Sequence, residues 1–535
     1  MSGSISCAEK RRKKIYSRSF KITGLALFAM VGASPMLIML FRALAGDSGF
    51  EWAGLQDAHY AGLLGRSLAI ALSAAVMSAV MGTFQALILV RVKLAGRRLW
   101  NLVCLVPLCI PAHVHAIAWI CLLGDRGILS RFFEQAGIPV NIYSPCWVAV
   151  VLALAFHPLV TLIVSGGLLT MDRRLEQAAL QYHKPARVLG RITLPLVFPH
   201  VMAGAVFVLI FAFFEYGVAA LLRVHTYPVE IFAQFSAFYN EAAATALALP
   251  VMVAALVLLA GQRLWMGSRS YVVLNTGRQK PERFDPGRMK VCFIIALLIL
   301  ACLGTGLPLA MLTTATGGAR AFAAVWQSTS STIFFTVFLA GLASLVVVCL
   351  AWVLADIRQS CSARFRTMLD IVFYVPFAMP ATVVGIGLIY LWNRPQLHWV
   401  YGTPAILVLA YLARFLPFAI QAVLAGLAQV ESGIRKAARL YQGSWWKRTW
   451  KIELRLCFPA LAAGWAMVFV LCTGELGATL LVVPPGAETI SLKLYTLMHY
   501  GASQAVAALS LILVAINLAC AAGAVLSVRM LGWNR

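Results

Sequence analysis

The residues of this chain best suited to bind a cation or a polar solute are two glutamates inside long apolar segments. Glu215 begins the string EYGVAALL, and Glu475 begins the similar string ELGATLL 260 residues later. An acid inside a membrane segment is costly and for that reason often functional, and carboxylate oxygens are suitable ligands for hard cations. The alternative interpretation is that both acids lie at the membrane interface or cap a broken helix.

Three further ionisable residues stand in apolar segments: His113, His115 and Arg414. Both histidines follow the string VPLCIPA, and their counterparts after the related string VPFAMPA are Thr382 and Val384. Because those counterparts cannot ionise, polar packing is the favoured interpretation of the histidines, with a place in a solute path as the alternative. We expect Arg414 to pair with an acid or a backbone carbonyl, either in a structural role or in a solute path. We predict no metal site, because the twelve cysteines form no CxxC pair.

Two polar segments separate apolar ones: EQAALQYHKPARVLGRITLP at Glu176–Pro195 and KAARLYQGSWWKRTWKIELR at Lys436–Arg455. In a helix, the first forms a small apolar face from Leu175, Ala178, Ala179 and Tyr182. The second repeats that face with Ile434, Ala437, Ala438 and Tyr441. Such a face either rests on lipid or lies in a groove on a soluble partner. The paired alanines favour the partner, because they allow close approach and give lipid little to hold.

The elements that must position these residues are membrane-spanning helices. Hydrophobic residues make up 61% of the 535 residues and charged residues only 12%, about half the charged share of a soluble protein. Uncharged runs long enough to cross a bilayer recur, and in lipid they must be helical. We predict an all-α polytopic membrane protein with twelve spans, roughly 22–41, 67–90, 100–122, 146–169, 198–222, 242–262, 291–314, 331–355, 367–391, 403–427, 458–482 and 504–527.

The distribution of positive charge predicts the orientation. Most of the 44 Lys and Arg residues fall in the N-terminal tail, the even-numbered loops and the C-terminal tail. The positive-inside rule therefore predicts that both termini are cytoplasmic. The formal net charge of +25 is spread along every cytoplasmic rim, so anionic lipid headgroups are the expected partner and nucleic acid is not.

The chain is a doubled unit. VPLCIPA recurs as VPFAMPA after 269 residues, and the two glutamate strings and the two polar segments recur after about 260. Six spans separate each motif from its copy, so the two halves have the same orientation, as in a parallel repeat. We predict a basic cytoplasmic tail at 1–21, a first six-helix domain at 22–265, a cytoplasmic linker at 266–290 and a second six-helix domain at 291–530.

The first polar segment begins with Glu-Gln-Ala and ends, at the expected spacing, with Ile-Thr-Leu-Pro. In this it resembles the EAA loop of permease subunits of binding-protein-dependent ABC importers. That resemblance implies the type I importer permease fold and a coupling helix in each half that docks on a cytoplasmic ATPase. Gly is absent from its usual place, and Lys and Arg replace the Glu and the final Pro in the second copy. The residues implied to couple to the ATPase are Glu176, Ala178, Ala179, Tyr182, His183, Lys436, Ala437, Ala438, Gln442 and Gly443.

Within that superfamily the chain looks most similar to fused two-domain permeases of the ferric-iron type, a group that also includes thiamine and phosphonate importers. The strings ELGATLLVVPPGAETISLKLYTLMHYG and RFLPFA carry this similarity. It implies two ATPase subunits below, a soluble binding protein outside and a location in the bacterial inner membrane. Glu215, Glu475, His113, His115 and Arg414 are then candidates for the translocation path, with ferric iron as the expected substrate.

The chain itself is not expected to be an enzyme or to hold a cofactor. It contains no GxxxxGK[ST] phosphate loop, so ATP and Mg²⁺ are expected on the partner ATPase. Two alternatives remain. A secondary transporter of the major-facilitator type also has twelve spans, but the loop RVKLAGRRLW lacks the acid of that family's signature. A membrane scaffold or receptor without transport activity is the other.

Overall fold

The computed structural model describes residues 22–45, 58–125, 127–137, 140–171, 174–268, 283–430, 433–434, 437, 445–501 and 503–530. The predicted N-terminal tail and most of the predicted linker lie outside these ranges. Within them the chain is helical, and the only β pairing is a single bridge between Val92 and Phe284. The all-helical prediction is confirmed.

The helices of the two halves follow the same order, except that the helix at Arg174–Leu180 has no counterpart among the described residues. Those of the first half are α1 (Ile22–Arg42), α2 (Ala58–Arg91), α3 (Arg97–Cys109), α4 (Ala112–Leu123), α5 (Ser130–Gln135), α6 (Pro145–Thr170), α7 (Arg174–Leu180), α8 (Pro185–Val188), α9 (Leu194–Phe213), α10 (Gly217–Leu221), α11 (Tyr227–Ser236) and α12 (Glu241–Ser268). Those of the second half are α13 (Met289–Ala315), α14 (Ala319–Ser360), α15 (Arg364–Phe377), α16 (Ala381–Trp392), α17 (His398–Tyr401), α18 (Ala405–Gln429), α19 (Trp445–Arg448), α20 (Leu454–Thr473), α21 (Thr479–Val482), α22 (Ile490–His499) and α23 (Ser503–Met530).

Ten helices among the described residues are long and apolar enough to cross a membrane, and two bent pairs raise the number to as many as twelve. The predicted number of spans is therefore confirmed. The spans predicted at 100–122 and 367–391 differ from the structure, since the chain turns by 90° within each, between α3 and α4 and between α15 and α16. The second proline of each VPLCIPA-type string causes the turn. It holds the preceding residue extended (Ile110 at φ −98°, ψ 110°; Met379 at φ −103°, ψ 134°).

The spans predicted at 198–222 and 458–482 also differ, because their helices end early. Helix α9 ends at Phe213 and α20 at Thr473, and each is followed by a short break and a short helix. Close approach to another segment requires glycine at the second of these breaks. A Cβ on Gly477 would lie 2.6 Å from the Cβ of Ala381, closer than any side chain could tolerate. The short helices α10 and α21 thus lie beside the bends that begin α4 and α16.

Three long helices of each half pack against one another: α2, α6 and α9 in the first half, and α14, α18 and α20 in the second. The first helix of each half instead reaches the other half. Gly32 of α1 faces Pro376, and Gly304 of α13 faces Pro107, each with 3.1 Å between the proline Cγ and the position of a glycine Cβ. These two prolines occupy the same place in the repeated string, so the halves exchange their first helices symmetrically and enclose the space between them.

Candidate functional site

A small cavity lies where the two breaks meet. It encloses about 80 Å³, and its lining comes from both halves, including Glu215, Gly217, Glu475 and Gly477. The two breaks approach each other closely, since a Cβ on Gly217 would lie 3.1 Å from Cδ2 of Leu476. Nearby, the hydroxyl groups of Tyr216 and Tyr495 are 2.8 Å apart and join the halves by a hydrogen bond. The repeated glutamate strings therefore meet between the two halves.

Both glutamates also cap the short helices that follow them. Oε1 of Glu215 accepts hydrogen bonds from the backbone N–H of Gly217 (3.1 Å) and of Val218 (3.4 Å). Oε1 of Glu475 accepts one from the N–H of Ala478 at 2.9 Å. A carboxylate suits this place because the first N–H groups of a helix have no partner within the helix. The capping interpretation is thus correct, and the same side chains line the cavity.

The two glutamates differ in their charged neighbours. Nη1 of Arg414 donates to Oε2 of Glu475 in a buried ion pair. The counterpart of Arg414 is Ala155, as the aligned strings AFHPLV and RFLPFA show, and both residues line the cavity. Among the described residues Glu215 has no close ion pair, but its carboxylate interacts electrostatically with Arg414 as well. The cavity wall therefore holds two carboxylates and one guanidinium, and we call this space the charged cavity.

The structure separates the two predicted histidines. His113 lines the cavity, is 3% exposed, and its Nε2 has no hydrogen-bond partner among the described residues. His115 does not line the cavity, and its Nε2 lies 3.4 Å from the carbonyl oxygen of Pro107. The described part of the chain contains no group of three His, Cys, Asp or Glu side chains able to hold a metal ion.

An aromatic cluster, which sequence reasoning missed, adjoins the cavity. We call Phe207, Phe211, Phe377 and Phe418 the aromatic cluster. The rings of Phe211, Phe377 and Phe418 have centroids 5.2–5.3 Å apart in all three pairs, and Phe207 lies 5.8 Å from Phe377. These residues come from α9, α15 and α18, so both halves contribute to the cluster.

A second, larger cavity lies on the other side of the aromatic cluster, and we call it the apolar cavity. It encloses about 520 Å³, with Phe207 and Phe418 in its wall, whereas Phe211 lies in the wall of the charged cavity. Its described lining has no charged side chain, and its polar groups are Gln262, Gln421 and the Tyr374 hydroxyl. The two cavities and the aromatic cluster form a row between the halves.

The first polar segment forms the short helix α7 and a turn. Leu175 and Ala178 of the predicted docking face are exposed, Ala179 is half-buried, and Tyr182 and His183 are exposed. The helix ends at Leu180, so Tyr182 and His183 lie in the turn that follows and not on the predicted helical face. In the second segment Ala437 is helical and exposed. Lys436, Ala438, Gln442 and Gly443 lie outside the described residues.

Two exchanged six-helix halves with a charged cavity between them define a multi-pass membrane permease. The chain belongs to the family described as binding-protein-dependent transport system inner membrane component, whose model matches residues 78–265 and 347–530. The two matches confirm the internal repeat and the resemblance drawn from the EAA loop. The same assignment disfavours the major-facilitator alternative.

Individual relatives carry the names of several transport systems. The chain is 23% identical over 444 residues to an Fe(3+)-transport system permease protein of Haemophilus influenzae, covering 81% of this chain and 83% of the relative. It is 23% identical over 439 residues to a ferric transport system permease protein of Actinobacillus pleuropneumoniae, covering 76% and 62%. It is also 31% identical over 172 residues to a putative 2-aminoethylphosphonate transport system permease protein of Salmonella typhimurium, covering 32% and 64%.

Proposed function

We propose that this permease carries ferric iron across the bacterial inner membrane, in an importer driven by two ATPase subunits. In this proposal a soluble binding protein delivers the ion at the outer face. ATP and Mg²⁺ bind to the ATPase subunits, which dock on α7 and on its counterpart in the second half. Both termini of the chain are cytoplasmic, in keeping with the excess of Lys and Arg in the tails and even-numbered loops.

The observation that carries the choice of substrate is the pair of carboxylates in the charged cavity. Glu215 and Glu475 face one cavity from two halves and share one guanidinium, that of Arg414, which forms a close ion pair with Glu475. Two carboxylates opposite one guanidinium attract a cation, and hard ferric iron prefers oxygen ligands. The names of the two ferric relatives support the same substrate, since they match most of this chain.

The row of cavities suggests how the path alternates. The aromatic cluster closes the way between the charged cavity and the apolar cavity, since rings in contact leave no space for a hydrated ion. ATP binding moves the ATPase subunits and, through the docked helices, the two halves. Rocking of the halves about their common axis would part the aromatic cluster, which takes its rings from both. The apolar cavity has no charged side chain to retain a cation. A cation that has passed the aromatic cluster is therefore released.

A phosphonate is the second candidate substrate. Arg414 lies in the wall of the charged cavity, and a guanidinium suits phosphonate oxygens. The relative named for 2-aminoethylphosphonate transport supports a phosphonate substrate, and its match covers about a third of this chain. Thiamine remains a third possibility within the resembled group.

The test is uptake into proteoliposomes that contain this permease, the ATPase subunit and the binding protein from the same genome. We expect ATP-dependent uptake of radiolabelled iron when the binding protein is loaded with ferric ion. Labelled 2-aminoethylphosphonate and thiamine serve as parallel substrates. An ATPase subunit whose phosphate-loop lysine is replaced is the negative control. Uptake of the phosphonate and not of iron would overturn the choice of substrate, and failure of the ATPase subunit to copurify would overturn the importer assignment.

A further inference from the structure

The carboxylate of Glu176, the acid of the EAA-like loop, is held on both oxygens by other parts of this chain. Nη1 of Arg91 lies 2.8 Å from its Oε2, and the hydroxyl of Thr193 donates to its Oε1 at 2.7 Å. The side chains of Arg91 and Glu176 are only 6% and 14% exposed. A partner docking on α7 would therefore meet the exposed Leu175 and Ala178 rather than this carboxylate.

The two residues that hold Glu176 are themselves fixed in place. Arg91 is the last residue of α2, and its carbonyl oxygen accepts a hydrogen bond of 3.0 Å from the N–H of Phe284, where the chain enters the second half. Thr193 is fully buried and directly precedes α9. One carboxylate thus joins α7 to the end of α2 and to the start of α9, two of the three long helices at the centre of the first half.

The second half places different side chains around its own loop. An offset of 260 places Lys436 where the first half has Glu176, and Lys436 lies outside the described residues. The end of α14 at Ser360 corresponds to the end of α2 at Arg91, at the same offset of 269 that relates the two VPLCIPA-type strings. Asp356, one turn before that end, is buried and accepts a hydrogen bond of 3.0 Å from Nε1 of Trp445.

The counterpart of Thr193 is Glu453, a buried acid that accepts a hydrogen bond of 3.0 Å from Nε of Arg448. In place of Arg91 and Thr193 the second half thus has Ser360 and Glu453, so the arrangement that holds Glu176 belongs to the first half.

We propose that Glu176 is a positioning residue whose contacts with Arg91 and Thr193 carry the movement of α7 into α2 and α9. The proposal rests on the proposed function to the extent that α7 docks on an ATPase. In this proposal Glu176 does not contact the ATPase directly. Its carboxylate links α7 to α2 and α9, and the ATPase contacts the apolar face of α7.

The test uses Glu176→Gln, Arg91→Gln and the charge-reversed double variant Arg91→Glu/Glu176→Arg in the full chain. Arg98→Gln, which removes an exposed charge near the start of α3, is the matched control. Three quantities are measured: copurification of the ATPase subunit, iron uptake per ATP hydrolysed, and the thermal unfolding midpoint of the permease alone in detergent. We expect both single variants to retain the ATPase subunit and to lower uptake per ATP about tenfold, the size of a typical coupling energy. The double variant should recover most of that loss.

Two outcomes would overturn the proposal. One is that Glu176→Gln releases the ATPase subunit while Arg91→Gln does not, since this identifies Glu176 as a partner contact. The other is a double-mutant cycle on the unfolding midpoint that shows no interaction between positions 91 and 176. The midpoint needs neither partner nor substrate, so the contact is tested even if the proposed function fails.

Discussion

Arg414 and Glu475 form an ion pair in the charged cavity, and the equivalent place beside Glu215 is filled by Ala155. The two glutamates perform the same capping role with Oε1, so they differ chiefly in what surrounds Oε2. Two otherwise matched residues can therefore be compared directly by substitution.

The isosteric variants Glu215→Gln and Glu475→Gln should differ in stability. Glutamine keeps an oxygen for the capping hydrogen bonds of both residues. Glu475→Gln leaves Arg414 buried without the carboxylate that it is hydrogen-bonded to, and breaking a buried pair costs about 3–5 kcal/mol. Glu215→Gln removes a carboxylate that interacts with Arg414 only beyond ion-pair distance, so it should lower the free energy of unfolding less. Thermal unfolding in detergent measures the difference, and equal losses would contradict it.

The same two variants should separate stability from transport. Under the ferric proposal, Glu215→Gln folds normally yet loses iron uptake, because the carboxylate that attracts the cation is gone. Uptake from the iron-loaded binding protein is measured in proteoliposomes alongside retention of the ATPase subunit. Normal iron uptake by Glu215→Gln would show that this carboxylate only caps α10.

Opening the aromatic cluster should produce a leak. In Phe211→Ala/Phe418→Ala, two of the three mutually contacting rings are lost, so the charged and apolar cavities should join. We expect efflux of entrapped rubidium ions from proteoliposomes without ATP, whereas the unaltered permease retains them. Phe338→Ala is the control, because this phenylalanine is 68% exposed on the outside of α14. Tight vesicles with the double variant would show that other residues close the path.

The close approach at Gly477 should tolerate no side chain. Gly477→Val places a Cβ 2.6 Å from that of Ala381, and overpacking of this kind costs about 1–3 kcal/mol. Gly523→Ala in α23 meets no atom within 4 Å and should stabilise its helix by about 0.5–1 kcal/mol. Unfolding midpoints of the two variants should therefore move in opposite directions, and a shared direction would contradict the packing described at the break.

The apolar face of α7 should bind the ATPase subunit. Ala178→Trp adds a large side chain to an exposed face that needs close approach, so the ATPase subunit should no longer copurify while the unfolding midpoint stays unchanged. The matched control is Ala136→Trp, an exposed alanine beyond α5 at the opposite end of the bundle. Retention of the ATPase subunit by Ala178→Trp would remove this face from the proposed contact.

The sequence predicted the features that depend on local composition. Apolar length identifies spans because each span needs about 20 residues, and the repeat is visible because three separate strings recur in the same order. The two glutamates were recognised as site residues because an acid is conspicuous in an apolar run. Their capping role was one of two alternatives, and only the position of the helix ends, at Phe213 and Thr473, decided that they do cap.

Other features depend on contacts that the sequence does not mark. The rings of the aromatic cluster come from three helices, and phenylalanine is common throughout a membrane protein. Arg91 looks like an ordinary cytoplasmic anchor until the fold places it beside Glu176, 85 residues later. The early ends of α9 and α20 were missed because the residues beyond them are still apolar, so hydropathy continues where the helix does not.

The exchange of α1 and α13 has a consequence for how the polypeptide could be divided. Each half packs its first helix against the other half. These contacts, and not the covalent connection around residues 269–282, hold the halves together. Cells that express residues 1–268 and 283–535 as two separate polypeptides should assemble a working heterodimer. A fragment produced alone would lack the first helix of the other half. The proline bend of its own VPLCIPA-type string would then be uncovered.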